Sequence, residues 1–291
     1  MPRNFRLERK FAFRHGHCKV TSMKVYAFMD TLTGRPVQAI AEPDGTWRQV
    51  ILRSGRFQAT LQAVSPGLPL PCVVPTAIFC AGVNYADHAK EFGAAQQAHP
   101  TIFMKSPASV VGHEATVRLP RFLRSDKVDY EGELAVVIGR DCRNVTPAQA
   151  LDHVLGYCCA NDVSARDWQK EWGGGQWTRG KSFDTFCPLG PCLVTTEELP
   201  DPQSLRLRFR LNGAVRQDAH TSSMQFKVAD LIAFLSGSST LPAGSVILTG
   251  SPAGVGMAQV PPSWLRPGDV MEVEIDGIGT LRNRVEEEIL G

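Results

Sequence analysis

The sequence predicts an α+β protein with a β-rich core, and three observations carry that prediction. Short runs rich in branched and aromatic residues, bounded by Gly, Pro, Asn and Asp, recur along most of the chain. Helical patterning is limited to short stretches, at 85–92, 147–153 and 227–236 and just after Asp162. A proline-rich stretch, Pro66 to Pro75, separates a small N-terminal part from the rest.

Taken in order, residues 1–22 hold six Lys and Arg against Glu8 alone. With no serine enrichment and no apolar h-region, they read as a disordered basic arm, or an extended start ahead of Met23, in preference to a targeting segment. Residues 23–75 read as a small β-rich domain, with strand-like runs at Met23 to Phe28 and Trp47 to Leu52 around the Glu42-Pro-Asp-Gly45 turn. Residues 76–291 form the larger domain. Strands are expected there at 77–83, 101–105, 115–119, 130–138, 154–161, 205–211, 245–249 and 270–275.

Bulk properties bound the function. With 291 residues, 43% hydrophobic and 21% charged, the chain can bury a sizeable core. A formal net charge of +2 gives no reason to expect a nucleic-acid partner, and no apolar run approaches the ~18 residues of a membrane span. The eight cysteines include no C-x-x-C pair and no zinc spacing, so they read as small buried hydrophobes in a reducing, cytoplasmic setting.

The chemistry starts with acids. In Asp129-Tyr-Glu131-Gly-Glu133, two glutamates lie two apart at the start of a strand and so share a face. Like charges that close repel, and burial worsens the repulsion. A cation between them removes the cost. A second apolar strand, from Val154, ends on Asp162, a natural third ligand that equally suits a helix N-cap for the stretch after it. Three carboxylates with no His or Cys partner favour Mg²⁺, with Mn²⁺ or Ca²⁺ as alternatives.

Other groups gather around this trio. His88 and Glu91, three apart on the short helix, can form a base oriented by a carboxylate, or a surface ion pair. Lys181 lies in an apolar, aromatic setting where a cation offsets the charge of an acid or enolate. Arg166 and Gln169, three apart on an expected helix, can share a face toward a carboxylate. Lys105 ends a strand. Ser251 sits in the tight loop Thr249-Gly-Ser-Pro-Ala-Gly-Val-Gly256, whose N–H groups can cradle an anion but whose spacing is not that of a dinucleotide site.

In this order the segments resemble the fumarylacetoacetate hydrolase superfamily, over about residues 77–291. Asn84 to Glu91 is similar to its lid motif, Asp129 to Glu133 and Asn161 to Gln169 to its metal-binding segments, and Gly180 to Pro191 and Thr249 to Gly256 to two further signatures. The resemblance implies a catalytic domain of mixed, rolled β-sheets, usually a homodimer. It implies Mg²⁺ or Mn²⁺ at Glu131, Glu133 and Asp162, and a His88–Glu91 dyad on a segment that orders over substrate. Substrate contacts carry over onto Lys181, Arg166, Gln169 and Ser251, and less securely Lys105. Position 251 is usually threonine in the family, and the serine keeps the hydroxyl. The implied activity is hydrolysis of a C–C bond in a 1,3-dicarbonyl, acylpyruvate-like 2-oxo acid through an enolate held by the cation and Lys181. The alternatives are decarboxylation or isomerisation of oxaloacetate-like or unsaturated 2-oxo diacids in aromatic catabolism, and a non-catalytic 2-oxo acid binder.

Overall fold

The computed structural model describes residues 23–91 and 97–290; the basic arm expected at 1–22 lies outside them. The first four strands, β1 (Lys24–Met29), β2 (Pro36–Ala41), β3 (Trp47–Arg53) and β4 (Arg56–Val64), form an antiparallel meander. Ser54 and Gly55, both at positive φ, close the β3–β4 hairpin with the twist that flanking strands require. The proline-rich stretch then runs back along β1, with Leu70 N–H donating to Ala27 and Met29 N–H to the carbonyl of Leu68.

Beyond it come β5 (Ile78–Gly82), α1 (Ala86–Glu91), β6 (Thr101–Lys105), β7 (Val110–Val111), β8 (Thr116–Leu119) and β9 (Val128–Asp129). The centre of the chain supplies β10 (Gly132–Ile138), α2 (Pro147–Ala150), β11 (Val154–Asn161), β12 (Ser164–Ala165), α3 (Thr178–Lys181) and β13 (Cys187–Thr195). The last third supplies β14 (Arg206–Leu211), β15 (Ala214–His220), α4 (Val228–Ser236), β16 (Val246–Leu248), β17 (Val270–Ile275) and β18 (Gly279–Glu287).

Among the described residues the strands form one large mixed sheet, ordered β4-β3-β2-β1-β13-β11-β10-β16-β5-β6 with β7 beside β13. A five-stranded sheet, β15-β14-β17-β18-β8, packs on one face of its centre, and β9 pairs with β12 apart from both. This is the β-rich architecture the sequence predicts. Alternation along β10 explains the packing. Leu134, Val136 and Ile138 join Leu207, Phe209, Val273 and Ile275 of the second sheet, while Ala135 and Val137 face Ile78, Cys80, Leu189 and Leu248. A strand covered on both faces needs the unbroken apolar run that 134–138 shows. Each buried Leu, Ile, Val or Phe among them contributes about 1.5–3 kcal/mol. The seven cysteines among the described residues are free and buried, as their apolar settings suggested.

Several elements differ from expectation. β13 is central, yet the stretch with its prolines and glycine is not among the expected strands. Those residues are tolerated because Pro188 and Gly190 lie beyond the irregularity where β11 shifts register, between Tyr157 and Cys159. β18 hides its strand character behind charges: Leu281, Asn283 and Val285 are buried while Arg and Glu alternate outward. The expected helix at 147–153 is α2 plus a 3₁₀ turn. The helix expected after Asp162 is instead strand β12 followed by a π-helical segment, Asp167–Glu171. Asp162 is therefore no N-cap.

Candidate active site

Strand pairing assembles the acids. β10 and β11 run antiparallel with Gly132 opposite Asn161 and Glu133 opposite Ala160. One step further, Asp162 falls opposite Glu131, and its N–H donates to the Glu131 carbonyl at 2.8 Å. All three carboxylates project from the same face of the sheet, and their ligand atoms lie within 4.8 Å of one another, buried. The three residues could hold a metal ion. Glu131 N–H donates to Asn161 Oδ1 at 3.0 Å, which pins the turn into β10.

Basic side chains surround two of the acids and leave the third. Lys181 Nζ donates to Glu131 Oε2 and Asp162 Oδ2, both at 2.6 Å. Lys105 Nζ donates to Asp162 Oδ1 at 2.5 Å. Arg166 donates through Nη2 to Glu131 Oε1 (2.8 Å), through Nε to Asp129 Oδ2 (2.9 Å) and through Nη1 to Gln169 Oε1 (2.9 Å). Both lysines are at most 2% exposed, so neither is a surface residue.

Glu133 has no ion-pair partner among the described residues. The Gly250 N–H, at 2.6 Å, is its hydrogen-bond donor. The electrostatics divide accordingly. Burial alone would raise the Glu131 carboxyl, but Lys181, Arg166 and His88 outweigh it and hold it far below the usual range. Burial, reinforced by Asp162 and Glu131, drives Glu133 well above that range. Burial would likewise lower the Lys181 pKa, yet Asp162 and Glu131 raise it, so Lys181 stays protonated. A buried carboxyl with no ion-pair partner among the described residues, held protonated beside two carboxylates, is what an oxygen-liganded divalent ion would ionise and satisfy. The donor set fits such an ion.

A cavity of about 210 Å³ opens over this cluster, lined among others by Glu131, Glu133, Arg166, Gln169, Lys181 and Ser251, with His88 on its rim segment. The structure thus brings seven of the ten sequence-derived candidates to its walls. Lys105 and Asp162 lie directly beneath, and Glu91 joins through His88, whose Nδ1 is 2.9 Å from Glu91 Oε2. The other Glu91 oxygen accepts from Gly254 N–H at 3.0 Å, tying α1 to the 249–256 loop.

Three supporting residues escaped the sequence reading. Asp129 accepts from Arg166 and from the N–H groups of Gly256 and Met257. Gln217 accepts from Gly132 N–H and donates to Ser251 Oγ at 2.7 Å. Asn84 donates to the carbonyls of Thr249 and Phe226. Asp129 stands inside a motif already singled out. Gln217 gave no signal: it is one buried residue on the largely exposed edge strand β15.

The model of the family described as fumarylacetoacetate (FAA) hydrolase C-terminal matches residues 77–286. The mitochondrial oxaloacetate tautomerase of Xenopus laevis is 46% identical over 228 residues, 78% of this chain and 71% of that protein. The structure of 2-hydroxyhepta-2,4-diene-1,7-dioate isomerase from Mycobacterium marinum matches with TM-score 0.77 and 37% identity, over 92% of this chain and 99% of the other. Fumarylacetoacetate hydrolase from Exiguobacterium antarcticum matches with TM-score 0.78 and 37% identity, over 92% and 100% respectively.

Proposed function

The chain belongs to the fumarylacetoacetate hydrolase family, and from that premise we propose that it is a divalent-cation-dependent tautomerase or isomerase of 2-oxo dicarboxylic acids. The observation that carries the reading is Glu133: a buried carboxylate with no ion-pair partner among the described residues, within one cluster with Glu131 and Asp162 and in one cavity with His88 and Lys181. The names of two relatives, an oxaloacetate tautomerase and a heptadienedioate isomerase, support proton transfer next to a 2-oxo group over the C–C hydrolysis that the motifs put first.

Glu131, Glu133 and Asp162 would hold the ion, Mg²⁺ by preference, with Mn²⁺ or Ca²⁺ suited to the same oxygen donors. When bound, such an ion withdraws electron density from a 2-oxo group and acidifies the adjacent C–H. The side chains do the rest. Glu91 takes the Nδ1 proton of His88 in a hydrogen bond and leaves Nε2 as the basic nitrogen. His88 removes the C3 proton, the C–H electron pair becomes the C2–C3 double bond, and the carbonyl pair moves onto oxygen. Lys181, kept protonated by its two acids, stands beside that charge. Return of the proton at oxygen gives the enol, and return at a conjugated carbon gives the isomer. Gln169 and Ser251 would hold the substrate carboxylate. Arg166, engaged by Asp129, Glu131 and Gln169, positions Glu131. A homodimer in the cytoplasm completes the proposal; among the described residues no helix is long and apolar enough to cross a membrane.

One observation favours a second reading. The 2.9 Å His88–Glu91 pair is equally suited to deprotonating water, which would hydrolyse a 1,3-dicarbonyl acid. A Mg²⁺-supplemented panel separates the two: oxaloacetate, an unsaturated 2-oxo diacid and an acylpyruvate, followed by NMR in D₂O for C3–H exchange and for products. Exchange in the diacids is expected, lost in Glu131→Ala together with Mg²⁺ binding, and lost in His88→Ala with Mg²⁺ binding retained. Cleavage of the acylpyruvate without exchange in any diacid would sink the tautomerase reading in favour of hydrolysis.

A further inference from the structure

Gln217 is 1% exposed, although the strand that carries it, β15, is largely open to solvent. An amide is taken out of water at low cost only where its hydrogen-bonding groups are met. Here all of them are. Oε1 accepts from Gly132 N–H at 2.9 Å, and Nε2 donates to the Pro252 carbonyl at 2.8 Å and to Ser251 Oγ at 2.7 Å. Two backbone groups fix which way the amide points. Gly132 N–H can only donate and the Pro252 carbonyl can only accept, so the reverse orientation would set N–H against N–H and oxygen against oxygen. Gly132 itself permits the approach: a Cβ there would crowd Gln217 Oε1 and Phe209 Cβ, each at 3.2 Å.

The consequence falls on Ser251, which lines the cavity. A hydroxyl donates one hydrogen bond and accepts others. Gln217 fills the accepting side. For the O–H, the one protein acceptor within hydrogen-bond distance among the described residues is the Pro252 carbonyl. It lies at 3.3 Å, beyond the usual range of about 2.5–3.0 Å for O–H···O, and already accepts from Gln217. The hydroxyl proton is therefore left for the cavity, where it suits an oxygen that accepts and not a group that donates. Gln217 also bonds the peptide N–H between Glu131 and Glu133, so one side chain ties the acid pair to the hydroxyl above it.

We propose that Gln217 is a positioning residue that holds Ser251 as a hydrogen-bond donor toward a carboxylate oxygen of the substrate. The inference rests on the reading of the cavity as a 2-oxo acid site for its ligand. The orientation of the amide is independent of that reading.

The test is a double-mutant cycle at Gln217 and Ser251, with oxaloacetate and Mg²⁺-loaded protein. Gln217→Met keeps the length of the side chain and removes both donors, so the Pro252 carbonyl is left to draw the Ser251 O–H away from the cavity. C3–H exchange gives kcat and KM, and calorimetry gives affinity independently of turnover. A hydroxyl donating to a carboxylate predicts a roughly ten- to hundredfold rise in KM and Kd for Ser251→Ala, with kcat changed less. Gln217→Met should show a comparable rise, and the double variant no further loss. Ser251→Thr keeps the hydroxyl and should bind as the wild type does, while remaining sensitive to Gln217→Met. Should melting curves show Gln217→Met to be unfolded, Gln217→Glu, which keeps the acceptor for Gly132 and sets an oxygen where the donor was, carries the same cycle. Losses that multiply in the double variant, or wild-type affinity in either single variant, would overturn the proposal. Coupled losses of affinity without any C3–H exchange would uphold it and refute the tautomerase reading instead. Absence of oxaloacetate binding in the wild type would overturn both.

Discussion

Glu133 and its neighbours show how a single group can be destabilising alone and necessary in company. A carboxyl whose folded pKa lies above its unfolded value, about 4.3, binds its proton more tightly in the folded state. Metal-free stability therefore falls as pH rises from that value toward the raised one. Glu133→Gln removes this penalty. With EDTA present, the variant should melt higher than wild type, by an amount that grows with pH above about 4.3 and reaches several °C. With saturating Mg²⁺ the order should reverse, because the variant loses a ligand. Melting curves from pH 4 to 8, with and without Mg²⁺, check both signs. The sequence made the acid pair visible through its two-residue spacing. It gave no means of telling which acid lacks a basic partner, because Lys105, Arg166 and Lys181 arrive from elsewhere in the chain.

At the scale of elements, the loop after β16 shows how local backbone shape serves the site. Gly250 has φ +97°, and a Cβ there would sit 2.7 Å from Asn84 Cβ and 3.0 Å from the Ala81 carbonyl. Its N–H is the donor to Glu133, and Ser251 follows directly. Gly250→Ala should cost about 2–4 kcal/mol in urea unfolding and lower activity more than ten-fold by shifting Ser251 and Glu133 together. Wild-type stability in that variant would mean the loop adapts freely. Strands with plain alternation or long apolar runs, such as β10, β11 and β17, were legible in the sequence. β13 and β18 were not: proline and glycine mask β13, and alternating charge masks β18. Local pattern also misassigned the stretch after Asp162, where tertiary contacts to Asp129 and Glu131 draw Arg166 out of a regular helix.

Across the whole molecule, residues 23–75 join the rest through β1 on β13, with Lys24 opposite Val194 and Val25 opposite Leu193. Met23, Val25, Ile40, Val50 and Phe57 share a hydrophobic cluster with Ile78, Ala135 and Leu193. The 291-residue chain should therefore unfold in one transition, and residues 76–291 alone should melt at least ~10 °C lower or aggregate. The estimate follows from several side chains worth ~1.5–3 kcal/mol each and a shift of about 2–4 °C per kcal/mol. Two resolved calorimetric transitions would mark the N-terminal part as an independent domain. The sequence by itself determined the β-rich class, the three acids, and the dyad three residues apart on one short helix. The Glu131–Glu133 and His88–Glu91 spacings each lie within one short segment, and Asp162 ends its own apolar run, so local pattern records all of them. Only the tertiary structure decided that Asp162 stands opposite Glu131, that Glu133 has no ion-pair partner among the described residues, and that Gln217 and Asp129 hold the surrounding groups. Those facts depend on strand register and on side chains meeting across more than thirty residues of chain, and no local pattern encodes such meetings.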